Sequence, residues 1–396
     1  MFIIKQRLNT FIIFLPLIWL VSGMILIPKG ASYMATICII SFLYILSSGN
    51  GTLKNIKTNK FLWLIFALLL YSIFSYLYHG YSSRQLKAIF FSCLYLSVFP
   101  LPKLNEKSFF YLIALGALSI TALSFYQHFY LDLGRREGHI NPNVFAFYSG
   151  FFCLICFCIA LTNKNTKIKA LSIILFLLTA TSLMFTLTRG VIIPVIAIIL
   201  IPLVYYLFKN THSKLKLIGF GLFIAISFTF IFNQFAVERY ATTVSDVKSI
   251  SNGKLNTSIG YRIQLWTASK HSIFKQPVFG LGDHYKDEFP DYYSKGLITK
   301  ELLTKTDITA HYHNQFIDRL VKNGFVGLFI LLAIIFYPAI MALKEKHNPF
   351  YSQSLASISL LTLLSSLTDS PLNHNYIVYV YLFIVFLLLS FKKDKA

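Results

Sequence analysis

Long apolar runs recur along most of this chain, broken by short connections in which lysines gather, and that alternation leaves few folds open. A run of roughly 20 apolar residues crosses the hydrocarbon of a bilayer as one α-helix, and about twelve such runs follow one another here. They lie near 11–27, 31–48, 61–78, 88–100, 109–127, 144–162, 170–187, 190–208, 217–235, 320–343, 352–368 and 376–391. Composition agrees: 56% of the residues are hydrophobic and 13% charged, so most side chains are suited to lipid rather than water. Backbone in lipid has to pair its own hydrogen-bonding groups, which helices do within a single segment. The sequence therefore predicts an all-α, polytopic integral membrane protein of about 12 transmembrane helices. Lys5 and Arg7 precede the first run, as in a secretory signal. No small-residue cleavage site stands out, so this segment reads as an uncleaved first span.

Short cytoplasmic loops retain positive charge, and this orients the chain. With both ends inside, every second loop is basic: Lys54, Lys57 and Lys60; Lys103 and Lys107; Lys164, Lys167 and Lys169; Lys209, Lys214 and Lys216; Lys344 and Lys346; and the tail Lys392, Lys393 and Lys395. The remaining loops then face outside, which in a bacterium is the periplasmic side of the inner membrane. Part of the net charge of +21 is sorted further by residue type. Apart from Arg7 the inside cations are lysines, whereas Arg84, Arg135, Arg136, Arg189, Arg239, Arg262 and Arg319 all fall outside. Topology does not require this sorting, but a planar guanidinium grips phosphate oxygens bidentately. A phosphorylated ligand outside and simple lipid-headgroup contacts both fit it. The scattered basic loops form no single stripe, which excludes nucleic acid as a partner.

The connections are unequal in length. Between spans nine and ten the chain stays polar for roughly eighty residues, far beyond an ordinary connection. The expected division is residues 1–235 for helices one to nine, 236–318 for a periplasmic loop domain with short helices, and 319–396 for helices ten to twelve and a cytoplasmic tail. Within the loop, Tyr261 to Phe274 has the spacing of a helix that Gln276-Pro277 stops, and Gly280-Leu281-Gly282-Asp283 follows as a turn. Tyr285, Phe289, Tyr292 and Tyr293 interleave with Asp287, Glu288 and Asp291. Rings beside carboxylates suit sugar faces and hydroxyls, and a loop resting on the membrane interface collects tyrosine equally well. Cys38, Cys93, Cys153, Cys156 and Cys158 all sit inside predicted spans, as small packing residues rather than disulfide partners or metal ligands.

Residues able to do chemistry gather at the outer ends of the spans. The loop closes on His311-Tyr312-His313-Asn314, directly before span ten. His313 lies eleven residues before Gly324 and fourteen before Gly327. At helical spacing this puts the three within about 40° of one face, where glycines would admit a neighbouring helix. Arg189 separates two apolar runs with almost no loop, an expensive place for a charge without a role. Arg262 and Trp266, one helical turn apart, either stack together or present the guanidinium to a ligand. Arg135 and Arg136 precede Asn141-Pro142-Asn143, a turn and helix start. Asp369 either orients a histidine or, more simply, caps span twelve with Asn373 and His374 nearby.

His313-Asn314 followed by Gly324 and Gly327, Arg189 behind a threonine, and the Arg262/Trp266 loop helix together resemble the O-antigen ligase and O-antigen polymerase superfamily. The likeness extends to the number of spans and the dominant loop before span ten. It implies glycan transfer from an undecaprenyl-pyrophosphate-linked donor to an acceptor hydroxyl, inverting at the anomeric carbon, with no cofactor, metal or nucleotide sugar. On that resemblance Arg189 and Arg262 face the leaving pyrophosphate and His313 is the base, with His311 a second candidate. Arg135, Arg136, Asn314, Trp266 and Asp369 would hold substrate or polarise the site. Polymerases more often carry two large outer loops, so the small His128–Asn143 loop favours a ligase acting on a lipid A-core acceptor. A flippase would show paired repeats and charges at midspan, and neither is visible.

Overall fold

The computed structural model describes residues 2–49, 55, 57, 59–80, 83–101, 104–133, 138–209, 244–305, 309–345 and 347–391. The run at 217–235, Arg239, and the Arg135 and Arg136 pair lie outside the described residues. The principal helices are α1 (Phe2–Val21), α2 (Gly30–Ser47), α3 (Lys60–His79), α4 (Ser83–Val98), α5 (Glu106–Phe125), α6 (Pro142–Thr162), α7 (Thr166–Phe185), α8 (Arg189–Lys209), α9 (Ser258–Lys275), α10 (Gln315–Lys344), α11 (Pro349–Ser366) and α12 (Asn375–Leu389). No strand occurs among the described residues. Many of the helices begin on asparagine. Asn59, Asn105, Asn141, Asn165, Asn314 and Asn348 each accept a first-turn amide through the side chain, pairing one of the donors that a helix start leaves open.

Every predicted apolar run within the described residues coincides with a helix, so the all-helical membrane class stands. By length and composition, six helices are able to cross a membrane: α2, α3, α5 with its extension to Tyr130, α6, α7 and α10. The expected twelve crossings are not reached by that measure among the described residues, and in three helices the cause is local. α4 is short and carries Arg84 and Lys87, α11 is rich in serine, and α12 is apolar but only 15 residues long. Both α6 and α12 are almost wholly buried and form the middle of the bundle, whereas α2, α3 and α10 each leave a broad apolar side uncovered for lipid. Hydroxyls inside the helices bond back to the preceding turn, as Ser149 does to Phe145 O and Thr121 to Ala117 O, and this satisfies them without water.

α10 is broken at Gly324, where φ is 60° and ψ −167°, a conformation essentially restricted to glycine. The segment after α9 enters the break. Phe325 N donates to Pro277 O at 2.8 Å, Val326 N to Val278 O at 3.3 Å, and Leu281 N to Val321 O at 2.8 Å. Tyr71 on α3 donates its hydroxyl to Asn323 O. The amides and carbonyls released by the kink are thus paired by other backbone and by a tyrosine, as an interrupted helix in this environment requires. A Cβ on Gly324 would lie 2.2 Å from Val278 O, and one on Gly280 would lie 2.5 Å from Asn323 N. This corrects the expected glycine stripe: α10 starts only after His313, and the turn that follows α9, not a helix, approaches Gly324. Gly324→Ala is expected to destabilise the fold by at least ~2 kcal/mol, read as a lower melting temperature of the purified protein.

Between α8 and α10 the described part of the polar interval has its own apolar core, separate from that of the bundle. Tyr261, Leu265 and Ala268 of α9 pack there with Tyr285, Phe289, Tyr292, Ile298, Leu302, Tyr312 and Val321. Tyr285, Phe289 and Tyr292 are therefore interior residues, which overturns both readings of them as a sugar platform or interface belt; Tyr293 remains exposed. Short aromatic-rich segments in a polar interval look like a surface from sequence because their burial depends on partners distant in the chain.

Candidate active site

One end of the bundle collects the start of α6, the α7–α8 turn, the His-Tyr-His segment before α10 and the α11–α12 turn. The loops that carry Lys57 and Lys60, Lys107, Lys164 to Lys169, and Lys344 lie at the opposite ends of the same helices. The centre of the gathering is Asp369. Its Oδ1 lies 3.9 Å from His311 Nε2 and 4.0 Å from His313 Nδ1, and it accepts the Ser370 amide at 2.8 Å. Its Oδ2 accepts Asn143 Nδ2 at 2.7 Å. The expectation that Asp369 caps the last helix is corrected: His374 occupies that cap position without a side-chain bond, and Asp369 is drawn instead to Asn143 and the histidines.

Tyr312 positions the two histidines from behind. Its ring is fully buried in the loop core, its hydroxyl lies 3.1 Å from that of Tyr292, and its carbonyl accepts Trp266 Nε1 at 2.8 Å. Its amide donates to Asp318 Oδ1 at 3.1 Å. Trp266 therefore docks α9 onto the His-Tyr-His segment. With Tyr312 held at ring, hydroxyl, amide and carbonyl, the flanking imidazoles stand on the other side, near Asp369. His313 adopts a left-handed backbone, φ 49°, an uncommon conformation in which histidine is enriched among non-glycine residues. Asn314 then caps α10 and also donates to Leu367 O at 3.1 Å, tying the segment to the end of α11.

Asp318 joins these parts from below. It is buried, forms an ion pair with Lys322 at 2.9 Å, and accepts Asn373 Nδ2 at 2.6 Å. Gln315 extends the link, donating to Asn373 Oδ1 at 2.9 Å and accepting the Leu372 amide at 2.8 Å. The α11–α12 turn that carries Asp369 is thereby clamped to the first turn of α10.

The guanidinium groups come from two further elements. Arg189 opens α8 two residues after Leu187, whose φ of 51° is unusual for a branched side chain. Gly190 beside it faces Thr368, whose Oγ1 would lie 2.5 Å from an added Cβ. Arg262 on α9 is close enough to both other charges to be influenced by them. Burial lowers its proton affinity, the Asp369 carboxylate opposes that, and Arg189 adds to it. It remains a cation, since a guanidinium is not neutralised by shifts of this kind. Arg319 is placed elsewhere: it is buried in α10 with Nη1 on Asn323 Oδ1 at 3.1 Å.

Histidine protonation follows from geometry and charge. His311 Nδ1 accepts the His313 amide at 3.2 Å, so the neutral ring carries its proton on Nε2, facing Asp369. Burial lowers the His311 and His374 pKa values below 6.5, with Asp369 opposing the shift in each. Burial alone would raise the Asp369 carboxyl, but His311, His374 and the Ser370 amide outweigh it and hold the group below its ordinary value. The site therefore holds a carboxylate beside two imidazoles, His311 and His374, whose protonated forms burial disfavours. His311, His313 and Asp369 offer three atoms within 4.8 Å of one another, a spacing that could hold a metal ion. A metal needs a lone pair at His311 Nε2, and the amide on Nδ1 places a proton there instead, so these residues do not fit that role as arranged.

The structure thus brings together His311, His313, Asn314, Arg189, Arg262, Trp266 and Asp369, all named from the sequence. It adds Asn143, Tyr312, Asp318 and Asn373, which sequence reasoning missed or treated as turn residues. Only an acidic residue at the fifth position after His313 and the repeated asparagines at helix starts hinted at them.

An uncharacterized protein of Haemophilus influenzae is 26% identical over 259 residues, 62% of this chain and 62% of its own length, so the match spans less than two thirds of that relative. Residues 174–332, which contain Arg189, Arg262, Trp266 and His313, match the O-antigen ligase family, and over that stretch the chain is similar to it.

Proposed function

We propose that this protein is an O-antigen ligase. At the periplasmic face of a bacterial inner membrane it transfers a glycan from undecaprenyl pyrophosphate to a sugar hydroxyl of lipid A-core. The observation that carries this reading is the meeting of two guanidinium groups and two imidazoles around Asp369, at one end of an apolar helix bundle. In the proposed step the acceptor oxygen attacks the anomeric carbon and the bond from that carbon to the pyrophosphate oxygen breaks, its electron pair leaving with the pyrophosphate. Fixed positive charge from Arg189 and Arg262 stabilises that leaving group, an electrostatic role for which preorganised donors are effective. His313 takes the acceptor proton, and the Asp369 carboxylate stabilises the imidazolium that forms. His311, with Nδ1 committed to an amide, serves to position its neighbour. Arg135 and Arg136 belong to this proposal as donor contacts. Displacement from the opposite side inverts the anomeric centre, and the scheme routes no step through a metal or nucleotide.

Purified protein mixed with carrier-linked glycan, lipid A-core and a chelator is expected to form the joined product, and failure to form it under any condition rejects the reading. Cells lacking the protein should make core without polymer while carrier-linked polymer accumulates. Core bearing single repeats would instead identify a polymerase, and loss of carrier-linked repeats from the outer face a flippase. Arg262→Lys is expected to lower transfer by ~10²-fold, because an ammonium cannot reproduce the planar fork. A near-normal rate would reduce Arg262 to packing.

A further inference from the structure

We propose that a cleft beside the arginine turn binds a neutral sugar ring of one of the two glycolipid substrates, an assignment that rests on the glycosyl-transfer reading for the identity of those substrates. The cleft encloses about 260 Å³ between the end of α5, the segment leading into α6, and the α7–α8 turn. Two of its lining residues adjoin the candidate active site. Pro142 precedes Asn143, which bonds Asp369, and Leu187 stands two residues before Arg189. A ring seated here lies next to the proposed reacting groups.

Three departures from regular backbone meet around this cleft. Where α5 would otherwise end in a cap it loosens into a π-helical turn, Tyr126–Tyr130, a rare form frequent at functional sites. Asp132 and Leu187, both lining residues, have left-handed backbones with φ of 46° and 51°. The turn is also held closely in register. Leu133 N bonds Gln127 O at 3.0 Å, and a Cβ on Gly138 would lie 3.0 Å from Gln127 Nε2. His139 Nε2 sits 2.9 Å from Ile25 O and so donates, which leaves His139 Nδ1 to accept from Gln127 Nε2 at 3.5 Å. These contacts fix the orientation of the Gln127 amide.

The chemistry of the walls selects a sugar. Gln127 and Asp132 bring an amide and a carboxylate to the walls, and Phe185 lies against His128 with ring centroids 4.2 Å apart. A pyranose has an apolar C–H face and a rim of hydroxyls, so it matches walls that mix aromatic rings with acceptors. The Asp132 carboxylate accepts hydrogen bonds from hydroxyls, which a sugar rim supplies. Its volume, at the low end of small-molecule sites of roughly 300 Å³ and more, suits a ring or two rather than a polymer.

The test uses a thiol introduced into the cleft. All five native cysteines are buried, so in Leu133→Cys, which leaves the polar wall groups in place, the new thiol is the accessible one, with Ile140→Cys as the alternative should the first variant fail to fold. Its rate of modification by a methanethiosulfonate reagent is measured in the full-length protein, alone and with each glycolipid separately: the carrier-linked glycan, or lipid A-core. Near ten times its dissociation constant a bound glycolipid should slow labelling by about tenfold. Protection by lipid A-core assigns the cleft to the acceptor sugar, and protection by the carrier-linked glycan assigns it to the donor sugar. Carrier pyrophosphate without a glycan should not protect. Less than about twofold protection by either glycolipid, or equal protection by the glycan-free carrier, overturns the proposal. Because labelling needs no turnover, a cleft that fails this test is distinguishable from a protein that fails to transfer glycan.

Discussion

His313→Ala and His313→Asn are each expected to lower glycan transfer by ~10²- to 10⁴-fold, the range a positioned general base contributes. The two variants are needed together because His313 has a left-handed backbone at φ 49°. Alanine pays for that conformation whereas asparagine tolerates it, so His313→Asn should keep its melting temperature while losing activity. His311 gives the contrast. Its Nδ1 accepts the His313 amide at 3.2 Å, and an asparagine carbonyl can do the same, so His311→Asn should retain more transfer than His311→Ala. Substantial activity in His313→Asn with none in His311→Asn would reverse the two assignments. Rates with purified glycolipids, alongside melting curves, decide this.

The second large effect is expected at Asp318, which touches no substrate in the proposed scheme. Asp318→Ala removes the acceptor of the Tyr312 amide and of Asn373, and leaves the Lys322 ammonium buried without its carboxylate. Breaking a buried pair in this way costs ~3–5 kcal/mol, which should appear as a large fall in melting temperature. The double variant Asp318→Ala/Lys322→Met removes the stranded charge and should recover much of that stability. Transfer should stay impaired in the double variant, because the Tyr312 amide still lacks the bond that holds His311 and His313 toward Asp369. Recovery of both properties would make the pair purely structural.

The parts of this architecture that were legible in the sequence rest on local physics. Apolar runs near the thickness of a bilayer and the lysines between them state where helices run, that they are lipid-facing, and which ends lie together. Alternation along such helices alone places Arg189 and His313 at the same end. The position of Arg262 on a helix stopped by Gln276-Pro277 was equally readable. The break at Gly324 was not. Glycine in an apolar helix reads as a packing surface, and only the segment from Pro277 to Leu281, entering from outside α10, turns it into a kink.

What the sequence determined by itself is the helical membrane class, the end of the bundle at which polar residues gather, and the identity of the cations and imidazoles there. Tertiary structure alone decided which of those groups face one another. The bond between Asn143 and Asp369 spans 226 residues, and Tyr312 is buried against the rings of Tyr285, Phe289 and Tyr292. Periodicity and capping act within a few turns of chain, whereas the aim of a side chain is set by whichever distant element packs against it.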